Sequence, residues 1–294
     1  MKMKVLFISQ SLSTKDGWGR VTHSLLNRLS NRIECTLYLP HDAKIAEKTT
    51  FTVKKILPPT NLTLSFTLKA SLSITVSSHH IYKKFLKNEK FNLVYSLNGW
   101  PSAVESHILA KKMKTPLLIS VHGTYGVAPL NHLFSKHLLL NSYKYAKRVL
   151  CISSFTKNQI KERTKLKNLV VQPINGVDFE KFSKKPDTSE IEEQFRPGKI
   201  ILSVGAIKDR KGYDIMLKAF KIIKNEIPNT KYIIIGSGNK SKILNLCAKL
   251  KLHDVYIIGD LSDDLLIKFY HACDVFALTP KRVGDSFEGY GLVY

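Results

Sequence analysis

The chain has 294 residues, with 46 Lys and Arg against 23 Asp and Glu, a formal charge of +23 and a pI near 9.8. That length suits two domains, and 44% hydrophobic residues can fill two cores. The charge favours a polyanionic partner (an anionic lipid surface, a nucleic acid or a phosphorylated substrate), although the lysines are spread along the chain.

No uninterrupted apolar run is long enough to span a bilayer, and that between Met1 and Gln10 is too short for a signal peptide. Cys35, Cys151, Cys247 and Cys273 lie far apart and form no CxxC pair, so neither a disulfide framework nor a metal site is legible. Reduced, mostly buried cysteines suit a cytosolic protein.

Lys4 to Ile8 is a short apolar run of the kind that forms a buried parallel strand. A loop with Gly17 and Gly19 follows, then Val21, Leu25, Leu26 and Leu29 at helical spacing. The two glycines are candidates for close approach to a phosphate or sugar, and Arg20 for an anion or for solvent. Strands are predicted at Glu34 to Leu39, Phe51 to Leu57, Phe91 to Leu97, Pro116 to Val121, Arg148 to Ile152 and Leu169 to Gln172. Helices are predicted at Ala103 to Lys112, Leu130 to Tyr145 and Ser154 to Arg163. Such alternation argues for a doubly wound parallel sheet.

One segment is ambiguous. Leu62, Leu64, Phe66, Leu68, Ala70, Leu72, Ile74 and Val76 alternate with polar residues, which is the strand period. A parallel sheet needs a crossover there, so a helix is expected for the later part, through Lys84. Lys69, Lys83, Lys84 and Lys87 also suit an amphipathic element at a membrane surface.

Lys184 to Pro197, with two prolines and four acidic residues, reads as a linker between a first domain, 1–183, and a second, 198–294. The second half repeats the grammar: strands at Ile200 to Val204, Lys231 to Ile235, Val255 to Ile258 and Val275 to Leu278, with helices at Tyr213 to Asn225, Lys240 to Leu250 and Asp263 to Ala272. Two such halves would leave a cleft for a ligand.

The chemistry collects at strand ends. Lys208-Asp209-Arg210-Lys211-Gly212 puts cations before a helix N-terminus, where the dipole disfavours them unless an anion is present. Arg210 and Lys211 are therefore phosphate candidates. Gly236 and Gly238, and then Asp260 and Leu261, follow the next two strands. After the last strand, Glu288 offers an acceptor for sugar hydroxyls and Gly289, Tyr290, Gly291 and Leu292 form a tight turn. A helix is expected to begin near Leu292, its N–H groups facing a phosphate. All these ends lie on one rim, where open α/β sheets bind ligands.

Taken in order, Val204-Gly205, Arg210-Lys211-Gly212, Gly236-Ser237-Gly238, Ile258-Gly259, Cys273-Asp274-Val275-Phe276 and Glu288-Gly289-Tyr290-Gly291-Leu292-Val293 resemble the donor half of retaining GT-B glycosyltransferases of family 4. Gly17 and Gly19, Val121-His122-Gly123, Cys151-Ile152-Ser153 and Pro173 to Asp178 extend the resemblance over nearly the whole chain. It implies two Rossmann-like domains and transfer of a sugar from a nucleoside diphosphate, without a metal or other cofactor. It further implies that Lys211 binds phosphate, that Glu288 contacts the sugar and that His122 lies near it. A glycan or lipid-linked acceptor follows, with an anionic membrane surface as a further partner and a cytoplasmic, inner-face location.

The pattern departs at two places. Ala206 stands where the family often has Arg, leaving that contact to Arg210 or Lys208. The family's second glutamate would fall past Tyr294, so a fragment truncated at its C-terminus is expected, with impaired donor binding. The competing reading is a non-catalytic basic module for anionic membrane or phosphorylated glycan. Nucleic acid ranks third, since no recognition motif accompanies the charge.

Overall fold

The computed structural model describes residues 2–13, 16–45 and 48–294. The chain forms two compact units, Met1–Gly176 and Val177–Tyr294.

In the first unit seven parallel strands, β1 (Lys4–Ile8), β2 (Glu34–Pro40), β3 (Thr52–Leu57), β4 (Leu93–Ser96), β5 (Leu117–Val121), β6 (Arg148–Cys151) and β7 (Leu169–Val171), stand in the order β3-β2-β1-β4-β5-β6-β7. The interleaved helices are α1 (Gly17–Leu29), α2 (Thr60–Thr63), α3 (Leu68–Ile81), α4 (Ser102–Met113), α5 (Thr124–Val127), α6 (Leu133–Tyr145) and α7 (Ser154–Lys161). Val5, Phe7, Leu37, Leu39, Tyr95 and Leu97 form a core with Leu26 of α1. Central parallel strands are covered on both faces, which is why they read as continuous apolar runs.

The ambiguous segment is helical, as the crossover requires. Ala70, Ile74 and Ile81 of α3 are buried, while Leu68, Leu72 and Val76 are 48%, 55% and 66% exposed. Two apolar stripes, each stepping by four and offset by two, counterfeit the period of a strand.

The second unit repeats the plan with four parallel strands, β8 (Ile200–Val204), β9 (Lys231–Ile235), β10 (Val255–Ile258) and β11 (Val275–Phe276), in the order β10-β9-β8-β11. Its helices are α8 (Phe179–Ser183), α9 (Ser189–Phe195), α10 (Tyr213–Glu226), α11 (Ser241–Leu250) and α12 (Asp263–Ala272). Phe220, Tyr232 and Ile243 pack on one face of the sheet; Leu202, Ile233 and Phe269 pack on the other.

Two expectations change here. The stretch 184–197 is not a free tether: α9 buries Ile191 and Phe195 in the second core, and the division falls at Gly176. No helix starts near Leu292. Gly291 has φ +83°, and the one backbone bond beyond it, Tyr294 N–H to the Gly291 carbonyl, closes a turn. A single bond does not meet the cost of a helical nucleus.

Candidate active site

Both sheets share the order 3-2-1-4, so each has a switch point, between β1 and β4 in one and between β8 and β11 in the other. Open α/β sheets bind ligands at the carboxyl ends of the strands flanking that point.

In the second unit Lys211 follows β8 and Glu288 follows β11, and the two meet. Lys211 Nζ lies 2.7 Å from Glu288 Oε2, and the Arg210 guanidinium donates to the same oxygen. Lys211 is only 7% exposed. Burial alone would raise the Glu288 carboxyl; the Lys211 hydrogen bond and charge, then Arg210, outweigh it and hold the group below its usual range. Glu288 is thus the anion that the cations before α10 require. Buried Phe287 anchors the loop, and paired backbone bonds between Val283 and Ser286 shape its approach.

The floor of this site is backbone. Gly205 has φ +146°, and a Cβ there would lie 3.3 Å from Lys211 Cε and 3.4 Å from its Nζ. At Gly236 a Cβ would come within 2.1 Å of the Gly205 carbonyl oxygen, so this glycine lets two strand ends touch. Gly238 similarly admits Ile207. The Tyr213 hydroxyl donates to the Gly205 carbonyl at 2.7 Å and fixes that peptide, a role that sequence reading missed. An aromatic opening a helix after a basic Gly turn was the available signal. Gly289 and Tyr290 continue from Glu288, with Tyr290 46% exposed and Leu292 39% exposed. Asp260 is exposed and Leu261 half-buried against the second core; no hydrogen bond or ion pair joins Asp260 to Lys211, Arg210 or Glu288.

In the first unit the Gly-rich loop enters α1. Gly19 is needed because a Cβ would stand 2.0 Å from the Ser13 carbonyl oxygen, and Asp16 caps the helix by accepting from Gly19 N–H at 2.9 Å. Gly17 has open space around its Cα. Gly19 thus has a structural duty, and Gly17 keeps the freedom to face a ligand.

His122 follows β5. Burial pushes its imidazole down to about 4, while a backbone hydrogen bond with Leu97 pulls the other way. The ring is neutral at pH 7, and its Nε2 has no hydrogen-bond partner. Between β1 and β4 lies a buried polar network invisible in the sequence. Asn98 Oδ1 accepts from Ser9 Oγ at 3.0 Å and from Gln10 N–H at 3.1 Å. Gln10 Nε2 donates to Ser102 at 3.0 Å and to Glu105 at 3.2 Å. Burial raises the Glu105 carboxyl to about 8, against the Gln10 hydrogen bond.

Charge is divided unevenly. Residues 1–176 hold 27 Lys and Arg against 7 Asp and Glu, and residues 177–294 hold 19 against 16. The first unit therefore carries +20 of the +23. Among the described residues no group of His, Cys, Asp and Glu is arranged for a metal, and no helix is long and apolar enough to cross a membrane.

Residues 15–181 match the family described as Glycosyltransferase Family 4, and residues 184–294 match Glycosyl transferases group 1. An uncharacterized glycosyltransferase of Methanocaldococcus jannaschii is 26% identical over 223 residues, 76% of this chain and 57% of that protein. A Campylobacter jejuni N-acetylgalactosaminyltransferase, named for a diphospho-undecaprenol-linked substrate, is 25% identical over 290 residues, 94% of this chain and 73% of that protein. A second M. jannaschii glycosyltransferase is covered over 38% of its length. The chain thus spans little more than half, or less, of the two archaeal relatives.

Among solved structures, sucrose-phosphate synthase of Thermosynechococcus elongatus superposes with TM-score 0.76 at 16% identity, over 99% of this chain and 78% of that one. Anabaena HepE, solved with UDP and glucose, gives 0.71 at 17%, over 95% and 74%. At such identities the likeness speaks for the fold.

Proposed function

The chain belongs to glycosyltransferase family 4, and on that premise we propose that it transfers a hexose from a nucleoside diphosphate to a glycan or lipid-linked acceptor with retention of configuration. The observation that carries this reading is the Lys211–Arg210–Glu288 group at the switch point of the second sheet. Sugar transfer leaves charge on the departing diphosphate, and cations held in place by the protein stabilise that charge without reorganising. Lys211 and Arg210 take this role. Arg210 supplies the cation that Ala206 does not.

Glu288 holds the two cations until the donor enters. Its carboxylate then accepts from sugar hydroxyls while the phosphate oxygens take over Lys211 and Arg210. Gly289 to Leu292 and the turns at Gly236 and Gly238 approach the nucleotide through backbone, and Asp260 and Leu261 border it. In the first unit, Gly17 and neutral His122, with Nε2 free to accept, are further candidates for contact with a sugar. No metal or other cofactor takes part.

Nucleotide release tests this reading. With a panel of UDP- and GDP-sugars, Lys211→Ala should lower turnover by about two decades. Near-normal turnover in that variant would remove the assignment.

The uneven charge supports a second element: peripheral association of the first unit with anionic membrane at its cytoplasmic face, either beside catalysis or, in a non-catalytic protein, instead of it. Nucleic acid does not fit, for want of a recognition motif.

A further inference from the structure

The buried polar side chains at the switch point of the first sheet reach further than their own neighbourhood. Ser9 and Gln10 lie just past β1, Asn98 just past β4, and Ser102 and Glu105 in α4; all are buried, Glu105 completely. Glu105 Oε2 accepts from Gln10 Nε2 at 3.2 Å, and the Gln10 backbone N–H donates to Asn98 Oδ1 at 3.1 Å. Ser9 Oγ lies 3.0 Å from the same oxygen and 3.2 Å from the Ser11 carbonyl oxygen. Ser11 Oγ donates to Asp16 Oδ2 at 2.6 Å, and Asp16 Oδ1 accepts from Gly19 N–H at 2.9 Å. Polar contacts thus run without a break from a carboxyl inside α4 to the Gly-rich loop that opens α1.

Packing alone does not call for a carboxyl at this place. Ala103, Val104, Leu109 and Ala110 of the same helix are buried, and an apolar side chain at 105 would complete that interior. The carboxyl meets one partner only: Oε2 takes the Gln10 amide, and Oε1 has no hydrogen bond. Gln10 Nε2 gives its other hydrogen to Ser102 Oγ at 3.0 Å, so both amide hydrogens end on α4, one turn apart. Burying polar groups costs stability, and an apolar set of the same shape commonly does as well or better. What a hydrogen-bonded set supplies instead is a single permitted geometry.

We propose that Glu105 is a positioning residue for the Gly-rich loop. By holding the Gln10 amide it fixes the exit of β1, and through Asn98, Ser9, Ser11 and Asp16 it sets where Gly17 and Gly19 stand. The inference rests on Gly17 as a sugar contact and adds the group that places it.

Trp18, in the first turn of α1, is half-buried, whereas Trp100, the other tryptophan of the chain, is fully buried. Acrylamide quenching of intrinsic fluorescence therefore reads the loop. Glu105→Leu keeps the bulk and removes the acceptor. At pH 7, well below the melting point of each variant, it should raise quenching of Trp18 and lower kcat/KM for nucleotide release from UDP- or GDP-sugars by about tenfold. Glu105→Gln, which keeps the acceptor, should return both to parent values. Gln10→Met breaks the same bond from its other side and should reproduce the defect, and the double variant Gln10→Met/Glu105→Leu should be no worse than either single one.

A Glu105 that only supported the fold would change the melting point and leave quenching and kcat/KM alone. That result, or equal defects in the Leu and Gln variants, would overturn the proposal. If the parent releases no nucleotide, quenching still decides. A shift in the Leu and Met variants, absent from the Gln variant, would uphold the positioning role and count against sugar-nucleotide transfer; no shift would overturn it.

Discussion

At the scale of single residues, half-buried Glu288 and fully buried Glu105 behave in opposite ways. Glu288 is held below its usual range by Lys211 and Arg210 despite burial. A depressed carboxyl contributes stability above the ordinary glutamate range, and that contribution is lost as pH falls through its folded value. Glu288→Gln should therefore flatten the acid limb of unfolding of the second unit, read by near-UV dichroism as a function of pH. Glu105 is the reverse. Raised from 4.5 to about 8 by burial, it makes the folded protein bind more protons than the unfolded chain through that window. Stability then falls as pH climbs from 4.5 to about 8, by on the order of 3 kcal/mol by pH 7. Glu105→Gln keeps an acceptor for the Gln10 amide and removes the charge. It should melt higher than the parent at pH 8 and equal to it at pH 4.5; a parallel pH dependence in the two proteins would contradict the assignment.

These residues were unequally legible. Lys211 and Glu288 stood in local patterns, a basic turn before a helix and a Gly-punctuated turn after a strand. Glu105 looked like an ordinary helical glutamate, because what makes it unusual is Gln10, 95 residues away.

At the scale of elements, the alternation of strand and helix was readable throughout because parallel strands are short, apolar and separated by amphipathic helices. The crossover α3 was the hard case, since its outer face is as apolar as its inner one. The turn before α10 shows how an element is aimed. Gly212 has φ +70°, and a Cβ there would stand 1.7 Å from the Thr279 carbonyl oxygen. The Thr279 hydroxyl in turn donates to the Gly212 carbonyl at 2.7 Å. The chain after β11 is thus pinned against the turn that carries Lys211. Gly212→Ala adds left-handed strain and a backbone clash, so a loss of roughly 1–3 kcal/mol is expected in urea unfolding. Sugar-nucleotide affinity should fall with it, because Lys211 and the loop leading to Glu288 meet at this contact. Wild-type stability in that variant would show that the turn has room the geometry denies.

At the scale of the whole molecule, the charge asymmetry is one of acid rather than of base. Basic residues load both units at similar density, 27 in residues 1–176 and 19 in residues 177–294, whereas acidic residues number 7 in the first and 16 in the second. In the second, cations are matched in pairs, Lys199 and Arg196 with Asp274, Lys224 with Asp254 and Lys281 with Asp214, as Lys4 is with Glu34 and Glu89 in the first. In the first, Lys83, Lys84 and Lys87 are exposed, on a stretch without a carboxylate. Such charge acts through a Debye length of about 8–10 Å near physiological salt and is screened as salt rises. The chain should therefore sediment with phosphatidylglycerol vesicles at low salt, be released at about 0.5 M salt and ignore neutral vesicles. Replacing Lys83, Lys84 and Lys87 with glutamate should weaken sedimentation by at least tenfold, since each basic residue near an anionic surface contributes about 1 kcal/mol. The same number of reversals at Lys218, Lys221 and Lys249, on helices of the second unit, should change it far less. Equal losses from the two sets would mean that binding follows net charge alone, and would remove the first unit as the membrane-facing one.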